Sequence, residues 1–284
     1  MISINNVSYK YTKSSRFALE DISAEIPSGI HLLVGENGAG KTTLLYAIAG
    51  LLTPQRGNIL IDGAEAASMK PSLRSDIFML DENLKITAAT IRKFAALHSR
   101  FYPDFSKEIF EENLAAFGLT GDELIRKQSL GNRKKSLLSY VIALGVKVLL
   151  LDEPTNGLDI QSKDTLRRII ASTTSDEQTI IISTHNVGEF KNLYDGFISI
   201  HKGHLQLAAT ADRIAEVLEF AILPAKNPES LYSELCIGGY ASICEASGEA
   251  CSDIDWELLY KALMSKSGCR ITSLFNRKDY DHEQ

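Results

Sequence analysis

The 284-residue sequence contains no apolar run of about 18–20 residues, the length that a helix needs to cross a membrane. Its N-terminus also lacks the basic and then apolar segments of a secretory signal, so we expect a cytoplasmic protein. Cysteine is scarce: the four residues lie in the last fifth of the chain, at spacings that match no metal motif. We therefore expect reduced, partly buried thiols.

A surplus of positive charge is absent as well. The net charge is −6; residues 1–204 contain 23 Lys and Arg against 23 Asp and Glu, whereas residues 205–284 contain 7 against 13. The negative excess therefore belongs to the C-terminal segment, which argues against a nucleic-acid surface or an anionic-membrane anchor there. The length and the 44% hydrophobic content favour one large α/β domain and a smaller one.

The segment 35–43 carries the most specific pattern in the sequence. It contains a phosphate-binding motif, Gly-x-x-x-x-Gly-Lys-Thr, which runs from Gly35 to Thr42. The motif lies between a predicted strand and a predicted helix. Glycines let backbone N–H groups face phosphate oxygens, and the positive end of the helix favours the same charge. We predict that Lys41 reaches the β- and γ-phosphates and that the Thr42 hydroxyl binds a magnesium ion. Nucleotide contacts are predicted for the whole loop: Gly35, Glu36, Asn37, Gly38, Ala39, Gly40, Lys41, Thr42 and Thr43.

Two acids follow the apolar stretch 148–151, which predicts a buried strand. Asp152 is placed to hold magnesium through water, and Glu153 to polarise the attacking water as a general base. His185 follows a second predicted strand and is a candidate to hydrogen-bond the γ-phosphate or the water. The alternatives are solvated loop acids and a structural histidine. The predicted catalytic residues are therefore Lys41, Glu153 and His185.

Two further residues are candidates for nucleotide contact, each with a plainer alternative. Tyr11 lies at the end of the first predicted strand, where an aromatic ring can stack on a base or merely pack on the sheet. Ser129 begins a predicted helix, either as its N-cap alone or as part of a second anion-binding surface that receives a γ-phosphate.

In their order and spacing, these motifs resemble those of the ATP-binding subunit of ABC transporters, and in particular the ATPases of ABC-2-type exporters. The resemblance implies an α/β fold: a P-loop NTPase (RecA-like) core over residues 1–208, with an antiparallel β subdomain and a helical insertion at about 83–135. A small C-terminal α+β appendage would cover 209–284. The matching segments are Tyr11, the Walker A loop 35–43, the signature 129–133, Walker B at 148–153, the D-loop 156–159 and the switch histidine within 183–185.

The resemblance also implies how such a subunit works. Two subunits, identical or paired, close head to tail around two ATP molecules with Mg²⁺, and Ser129 and Gly131 of one subunit grip the nucleotide of the other. The partner is a membrane permease, which would hold the subunit at the inner face of the membrane; nucleic acid is not expected. Family members contact the permease through the helical insertion, although its aromatic residues are better explained as core than as a docking surface.

Two positions depart from the family pattern. Leu130 replaces the first glycine of the usual signature, a variant that looks like the branch paired with export permeases for drugs, antimicrobial peptides or lipids. The loop after the strand predicted to end at residue 80 opens with Asp81 instead of glutamine. A carboxylate suits magnesium, so Asp81 joins Thr42 and Asp152 as a predicted metal ligand, but it adds negative charge beside the phosphates.

We therefore predict an ATP hydrolase that powers a separate membrane permease, most simply an exporter. One competing function is that of an ABC-type ATPase acting on nucleic acid or ribosomes, against which the single cassette and the acidic C-terminal segment count. The other is that of a nucleotide-dependent sensor or regulatory protein with weak turnover. Asp81 and Leu130 favour this sensor, whereas Glu153 and His185 disfavour it.

The C-terminal segment carries no residue whose chemistry the sequence identifies, and contact between copies or regulation are its candidate roles. We predict a helix over 212–219, strands over 220–223 and 240–245, and a helix over 256–264 that follows a capping sequence. Residues 276–284 are expected to be disordered.

Overall fold

The computed structural model describes residues 1–12, 14–68, 70–81, 89–190, 193–247 and 253–282, with side chains to residue 275. Its α-helices are α1 Lys41–Ile48, α2 Pro71–Ser75, α3 Ile91–His98, α4 Lys107–Ala116, α5 Leu130–Ile142, α6 Ile160–Thr173, α7 Ala211–Val217, α8 Trp256–Met264 and α9 Gly268–His282. Its β-strands are β1 Ile2–Tyr9, β2 Leu19–Ile26, β3 Gly29–Val34, β4 Arg56–Ile61, β5 Ala64–Glu65, β6 Ile77–Leu80, β7 Val148–Asp152, β8 Thr179–Ser183, β9 Gly196–His201, β10 His204–Thr210, β11 Leu218–Leu223, β12 Tyr232–Cys236 and β13 Gly239–Glu245. Each of these described helices is too short or too polar to cross a bilayer.

The central sheet has the strand order β10-β9-β3-β8-β7-β6 and is parallel except for β10. Its middle strands are rich in Val, Leu and Ile because both of their faces are covered. In β7, Val148 and Leu150 face α1 and the neighbouring antiparallel sheet, whereas Leu149 and Leu151 face α5 and α6. The carboxyl ends of β3, β7 and β8 lie together at one edge, where open α/β sheets bind ligands.

The antiparallel sheet has the order β2-β1-β4-β5 and shares a core with α1. The pairing of β1 with β4 shifts register between Asn5 and Ser8, where Asn6 has a φ of 48°. Gly57 of β4 lies against this irregularity: a Cβ there would lie 2.1 Å from the carbonyl oxygen of Asn5, so a larger residue does not fit. This sheet is the predicted antiparallel subdomain, and its first strand ends two residues before Tyr11.

The segment between β6 and β7 is helical, as predicted, and carries α3, α4 and α5. Ser106 is the N-cap of α4, and its Oγ accepts a hydrogen bond from Ile109 N at 3.1 Å. Aromatic rings pack around His98, whose Nδ1 lies 2.8 Å from the Tyr140 hydroxyl oxygen, so many of the aromatic residues are core. Residues 82–88, where the predicted insertion begins, lie outside the described residues. The packed rings are Phe78, Phe94, Phe101, Tyr102, Phe105, Phe110 and Tyr140.

The C-terminal segment contains an antiparallel sheet of order β11-β13-β12 together with α7, α8 and α9. The two predicted strands and the helix over 256–264 are present, and the helix predicted over 212–219 ends at Val217. The predicted disorder is wrong for residues 276–282, which lie in α9, whereas 283 and 284 lie outside the described residues. Ile271, Leu274 and Phe275 bury one stripe of α9 at helical spacing, and this burial holds the helix in place.

One apolar cluster runs from the central sheet into the C-terminal segment. Trp256, the first residue of α8, stacks on Phe197 of β9 with ring centroids 5.8 Å apart and meets the Tyr194 ring edge-on at 5.9 Å. Thr210 ends β10 and also caps α7, since its Oγ1 accepts a hydrogen bond from Arg213 N at 3.2 Å. The division into 1–208 and 209–284 stays a prediction, because packing is continuous across it.

A buried histidine on β3 makes the stability of the fold dependent on pH. His31 is 2% exposed, and its Nε2 lies 2.9 Å from the carbonyl oxygen of Pro27. Burial lowers the pKa of His31. The hydrogen bond to Pro27 and the charge of Asp195 raise it, but the effect of burial is larger. Below about pH 6.5 the unfolded chain therefore binds a proton that the native chain does not, and the free energy of unfolding falls as the pH falls.

Replacing His31 with glutamine is expected to flatten this pH dependence. The amide keeps a donor for Pro27 but does not titrate, so the slope should lose up to about 1.4 kcal/mol per pH unit between pH 6.5 and the lowered pKa. Urea unfolding at pH 7.5 and pH 5.5 measures the slope in both proteins. Burial also lowers the pKa of His98. Because His98 is present in both proteins, it contributes equally to both slopes and does not affect their difference. An unchanged slope would contradict the assignment to His31.

Candidate functional site

The predicted phosphate-binding motif forms the loop between β3 and α1. Gly40 has a φ of 114°, and a Cβ there would lie 2.5 Å from the carbonyl oxygen of Ala18. A Cβ on Gly35 would likewise lie only 2.4 Å from the carbonyl oxygen of Ile200. A Cβ on Gly38, which has a φ of 79°, would face open space. Within the described part of the chain, no side chain caps the N-terminus of α1. The loop can therefore come close to a phosphate, with the first N–H groups of α1 as donors.

Lys41 lies at the centre of this loop. Its Nζ donates hydrogen bonds to the carbonyl oxygens of Gly35 at 2.7 Å and Glu36 at 3.3 Å. Burial lowers the pKa of Lys41, while the charges of Glu153 and Asp152 act in the opposite direction. A buried cation thus lies between the glycine-rich loop and the two predicted acids, which suits the binding of a polyphosphate.

Asp152 joins the loop to the central sheet. Thr42 Oγ1 donates to Asp152 Oδ2 at 2.7 Å, and the Ser183 hydroxyl donates to the other carboxylate oxygen. A hydroxyl and a carboxylate are the hard oxygen donors that Mg²⁺ prefers, and the ion commonly takes one or two protein oxygens together with substrate phosphates. Thr42 and Asp152 therefore fit the predicted ion, as a pair that would share it with phosphate oxygens, since the described residues contain no group of three or more His, Cys, Asp or Glu side chains that could hold a metal ion by themselves.

Glu153 is held tightly at the end of β7. Its φ is 47°, in the left-handed region that side chains avoid, and its N–H donates to the carbonyl oxygen and the Oγ of Ser183, both at 3.1 Å. His185 Nδ1 lies 3.0 Å from Glu153 Oε2, and the glutamate side chain is 13% exposed. This arrangement does not match a solvated loop acid. The structure brings Glu153 and His185 together beside Asp152, in the geometry that a base and its orienting partner need.

Tyr11 lies at the rim of a cavity of about 600 Å³, a size that suits a nucleotide. Its hydroxyl oxygen is 3.1 Å from Thr43 Oγ1, and its ring meets Tyr9 edge-on. Tyr11 is 42% exposed, so packing on the sheet leaves part of the residue open to the cavity, and its stacking role stays a prediction. The cavity lining brings together Tyr11, Phe17, Lys41, Thr43, Glu153 and Lys202.

Ser129 and Gly131 do not line this cavity. Ser129 is the N-cap of α5, with its Oγ accepting a hydrogen bond from Asn132 N at 3.2 Å, so the capping role is present. A Cβ on Gly131 would lie 3.2 Å from the carbonyl oxygen of Gly157, which packs the start of α5 closely on the loop after β7. Ser129 and Gly131 therefore lie outside the cavity that the phosphate loop lines, and their anion-binding role stays a prediction.

Asp81 is tied to α1. The Tyr46 hydroxyl donates to Asp81 Oδ2, and this hydrogen bond, followed by burial, raises the pKa of Tyr46 to about 12. The charge of Asp152 acts on the same hydroxyl, so the three groups lie near one another. The Tyr46 hydroxyl therefore holds the Asp81 carboxylate, and the role of Asp81 as a magnesium ligand stays a prediction.

Sequence reasoning missed several of these contacts. Tyr46 follows Thr42 by four residues on a helix, so it shares a face with a predicted ligand, and that spacing was an available signal. The contacts of Glu189 left no such signal in the sequence. Its buried carboxylate accepts hydrogen bonds from Thr155 and Lys163, which are far from Glu189 along the chain.

Comparison with known proteins is consistent with this site. The profile of the ABC transporter family matches residues 19–156. The chain is 33% identical over 222 residues to the sulfate/thiosulfate import ATP-binding protein CysA of Synechocystis, covering 76% of this chain and 62% of that protein's length. It is 31% identical over 216 residues to the ABC transporter ATP-binding protein NatA of Bacillus subtilis, covering 72% of this chain and 87% of NatA. A solved ATP-binding subunit of an ABC transporter superposes with a TM-score of 0.67 at 25% identity, over 75% of this chain and 91% of that structure.

Replacing Gly40 with alanine is expected to weaken nucleotide binding by about tenfold or more, since strain of roughly 1–3 kcal/mol must distort the loop. The added Cβ would collide with the carbonyl oxygen of Ala18, which is backbone and cannot turn aside. Gly63→Ala, in the turn between β4 and β5, is the matched control, because its φ of 78° is also positive but its Cβ would meet no atom within 4 Å. Titration with a fluorescent ATP analogue compares the two, and equal losses would contradict the steric argument.

Proposed function

Because this chain belongs to the ABC transporter family, as an ATP-binding and ATP-hydrolysing subunit with a P-loop NTPase fold, we propose that it drives a separate membrane permease. Two copies, or this chain and a paired ATPase, would close head to tail around two ATP molecules. One observation carries the proposal: Lys41, Thr42, Asp152, Glu153 and His185 converge at one sheet edge beside a nucleotide-sized cavity.

In the proposed reaction, Glu153 accepts a proton from water while the water oxygen attacks the γ-phosphorus. The bond to the β-phosphate oxygen breaks, and ADP and phosphate leave. Lys41 stabilises the charge on the phosphates, and His185 fixes the orientation of the Glu153 carboxylate. A magnesium ion held by Thr42 and Asp152, with Asp81 near, would neutralise phosphate charge.

The exposed start of α5 supports a second subunit as the partner. Leu130 and Ile160 are each 81% exposed and begin α5 and α6, which the Lys135–Asp159 ion pair links at 3.3 Å. Large apolar side chains in such positions favour a covering protein surface. The same surface carries Ser129, so closure by a second subunit would bury Leu130 and bring Ser129 to the partner's nucleotide.

An apolar groove supports a permease as the second partner. It lies between β6 and α3, has a volume of about 320 Å³ and is lined by Leu51, Phe78, Phe94, His98 and Tyr102. The proposed direction is export, of a drug, an antimicrobial peptide or a lipid, and it rests on the Leu130 variant of the signature. CysA is named as an import protein, so likeness to relatives does not supply the direction. The acidic C-terminal segment supports a function without nucleic acid.

Glu153→Gln is expected to lower steady-state ATP hydrolysis by about 10²-fold or more, because the amide cannot accept the proton. ATP binding should be kept, and the variant should accumulate as an ATP-bound dimer. Phosphate release measures the first effect, and size exclusion with ATP measures the second. Glu177→Gln, at an exposed position before β8, is the matched control.

Two outcomes would contradict the proposal. Undiminished hydrolysis in Glu153→Gln would remove the assigned base. ATP binding without turnover in the wild-type chain, both alone and with a permease encoded beside it, would favour the sensor alternative that Asp81 and Leu130 suggest.

A further inference from the structure

Helix α5, which begins after Ser129 of the signature, is hydrogen-bonded directly to the main chain of Glu153, the proposed base. Lys134 lies five residues after Ser129, about 7.5 Å along the axis of α5. Its Nζ donates to the carbonyl oxygen of Glu153 at 2.6 Å. A hydrogen bond from an ammonium group is stronger than one between neutral groups, so this contact constrains the glutamate backbone.

The Glu153 backbone needs such a constraint. A φ of 47° is costly for a side-chain-bearing residue and persists only where the surroundings enforce it. Ser183 holds the N–H of Glu153, and Lys134 holds its carbonyl oxygen, so the residue is fixed on both sides. The direction of the carboxylate toward His185 depends on both contacts.

The start of α5 is tied to its surroundings by three further contacts. Ser129 caps the helix, Gly131 packs on the carbonyl oxygen of Gly157, and Lys135 pairs with Asp159, the N-cap of α6. A displacement of the helix start is therefore transmitted along a rigid helix to Lys134 and from there to Glu153.

We infer that Lys134 is a positioning residue that couples the two ATP sites of the dimer. When Ser129 and Gly131 engage the nucleotide of the partner subunit, Lys134 sets the Glu153 backbone in the hydrolytic geometry of its own site. The inference rests on the proposed head-to-tail dimer. It extends that proposal by assigning the coupling to one side chain.

Lys134→Met is expected to lower kcat by about tenfold while leaving the KM for ATP and the ATP affinity within about twofold. Lys134→Arg should restore most of kcat, because a guanidinium can still donate to the carbonyl oxygen. Lys147→Met is the matched control. Lys147 Nζ donates to Asp76 Oδ2 at 2.9 Å, and this pair lies away from the site. If hydrolysis requires the permease, the same variants are assayed in that complex. If the Met variant does not fold, Lys134→Ala, which also lacks a donor, is judged by the same criteria.

Coupling is tested by a double-mutant cycle with Ser129→Ala. If the effect of Ser129 on hydrolysis acts through Lys134, the fold-decrease in kcat of the double variant should be well below the product of the fold-decreases of the two single variants. In a Glu153→Gln background, Lys134→Met should still form the ATP-bound dimer, which shows that binding and closure are intact.

Three results would overturn the inference: an unchanged kcat in Lys134→Met, multiplicative losses in the cycle, or a loss of ATP affinity as large as the loss of kcat. None of them affects the proposed function, which fails separately if Glu153→Gln keeps its hydrolysis.

Discussion

The buried carboxylate of Asp152 is the joint on which the site depends. A buried charge is stable only where donors satisfy it, and here Thr42 donates to one oxygen and Ser183 to the other. Thr42 lies at the start of α1, Asp152 ends β7 and Ser183 ends β8. One acid therefore joins the phosphate loop to two core strands. Because Glu153 is the next residue, the same joint fixes the distance between Lys41 and the proposed base.

The site is built from backbone conformations that an ordinary chain avoids. Gly40 has a φ of 114°, which glycine adopts without strain, whereas Glu153 has a φ of 47°, which is costly for a residue with a side chain. Strain of this kind persists only when the surroundings leave no alternative, and the surroundings here are the most hydrophobic strands of the protein. Burial in the core thus offsets the strain at the sheet edge, which explains why the polar groups lie one or two residues beyond fully buried strands.

The motif order predicted the P-loop NTPase fold, the ATP-binding role and the family correctly, because phosphate loops and buried strands are encoded by neighbouring residues. The contacts that complete the site join residues far apart in sequence, such as Tyr46 with Asp81 and Lys134 with Glu153, so local patterns do not contain them. The same limit applies to β12. Its residues Tyr232–Cys236 include polar side chains, and the strand is stabilised by pairing with β13 rather than by its own pattern.

The C-terminal segment packs against an element that neighbours the site. Helix α8 packs against the turn Val187–Phe190, which begins two residues after His185 and shares the apolar cluster with Trp256. Burial raises the pKa of Tyr260 on α8, and the charge of Glu36, in the phosphate loop, acts in the same direction. Closely packed elements transmit displacement because they have little space in which to relax. The packing of α8 on this turn thus joins a segment in which the sequence identifies no catalytic residue to the neighbourhood of His185.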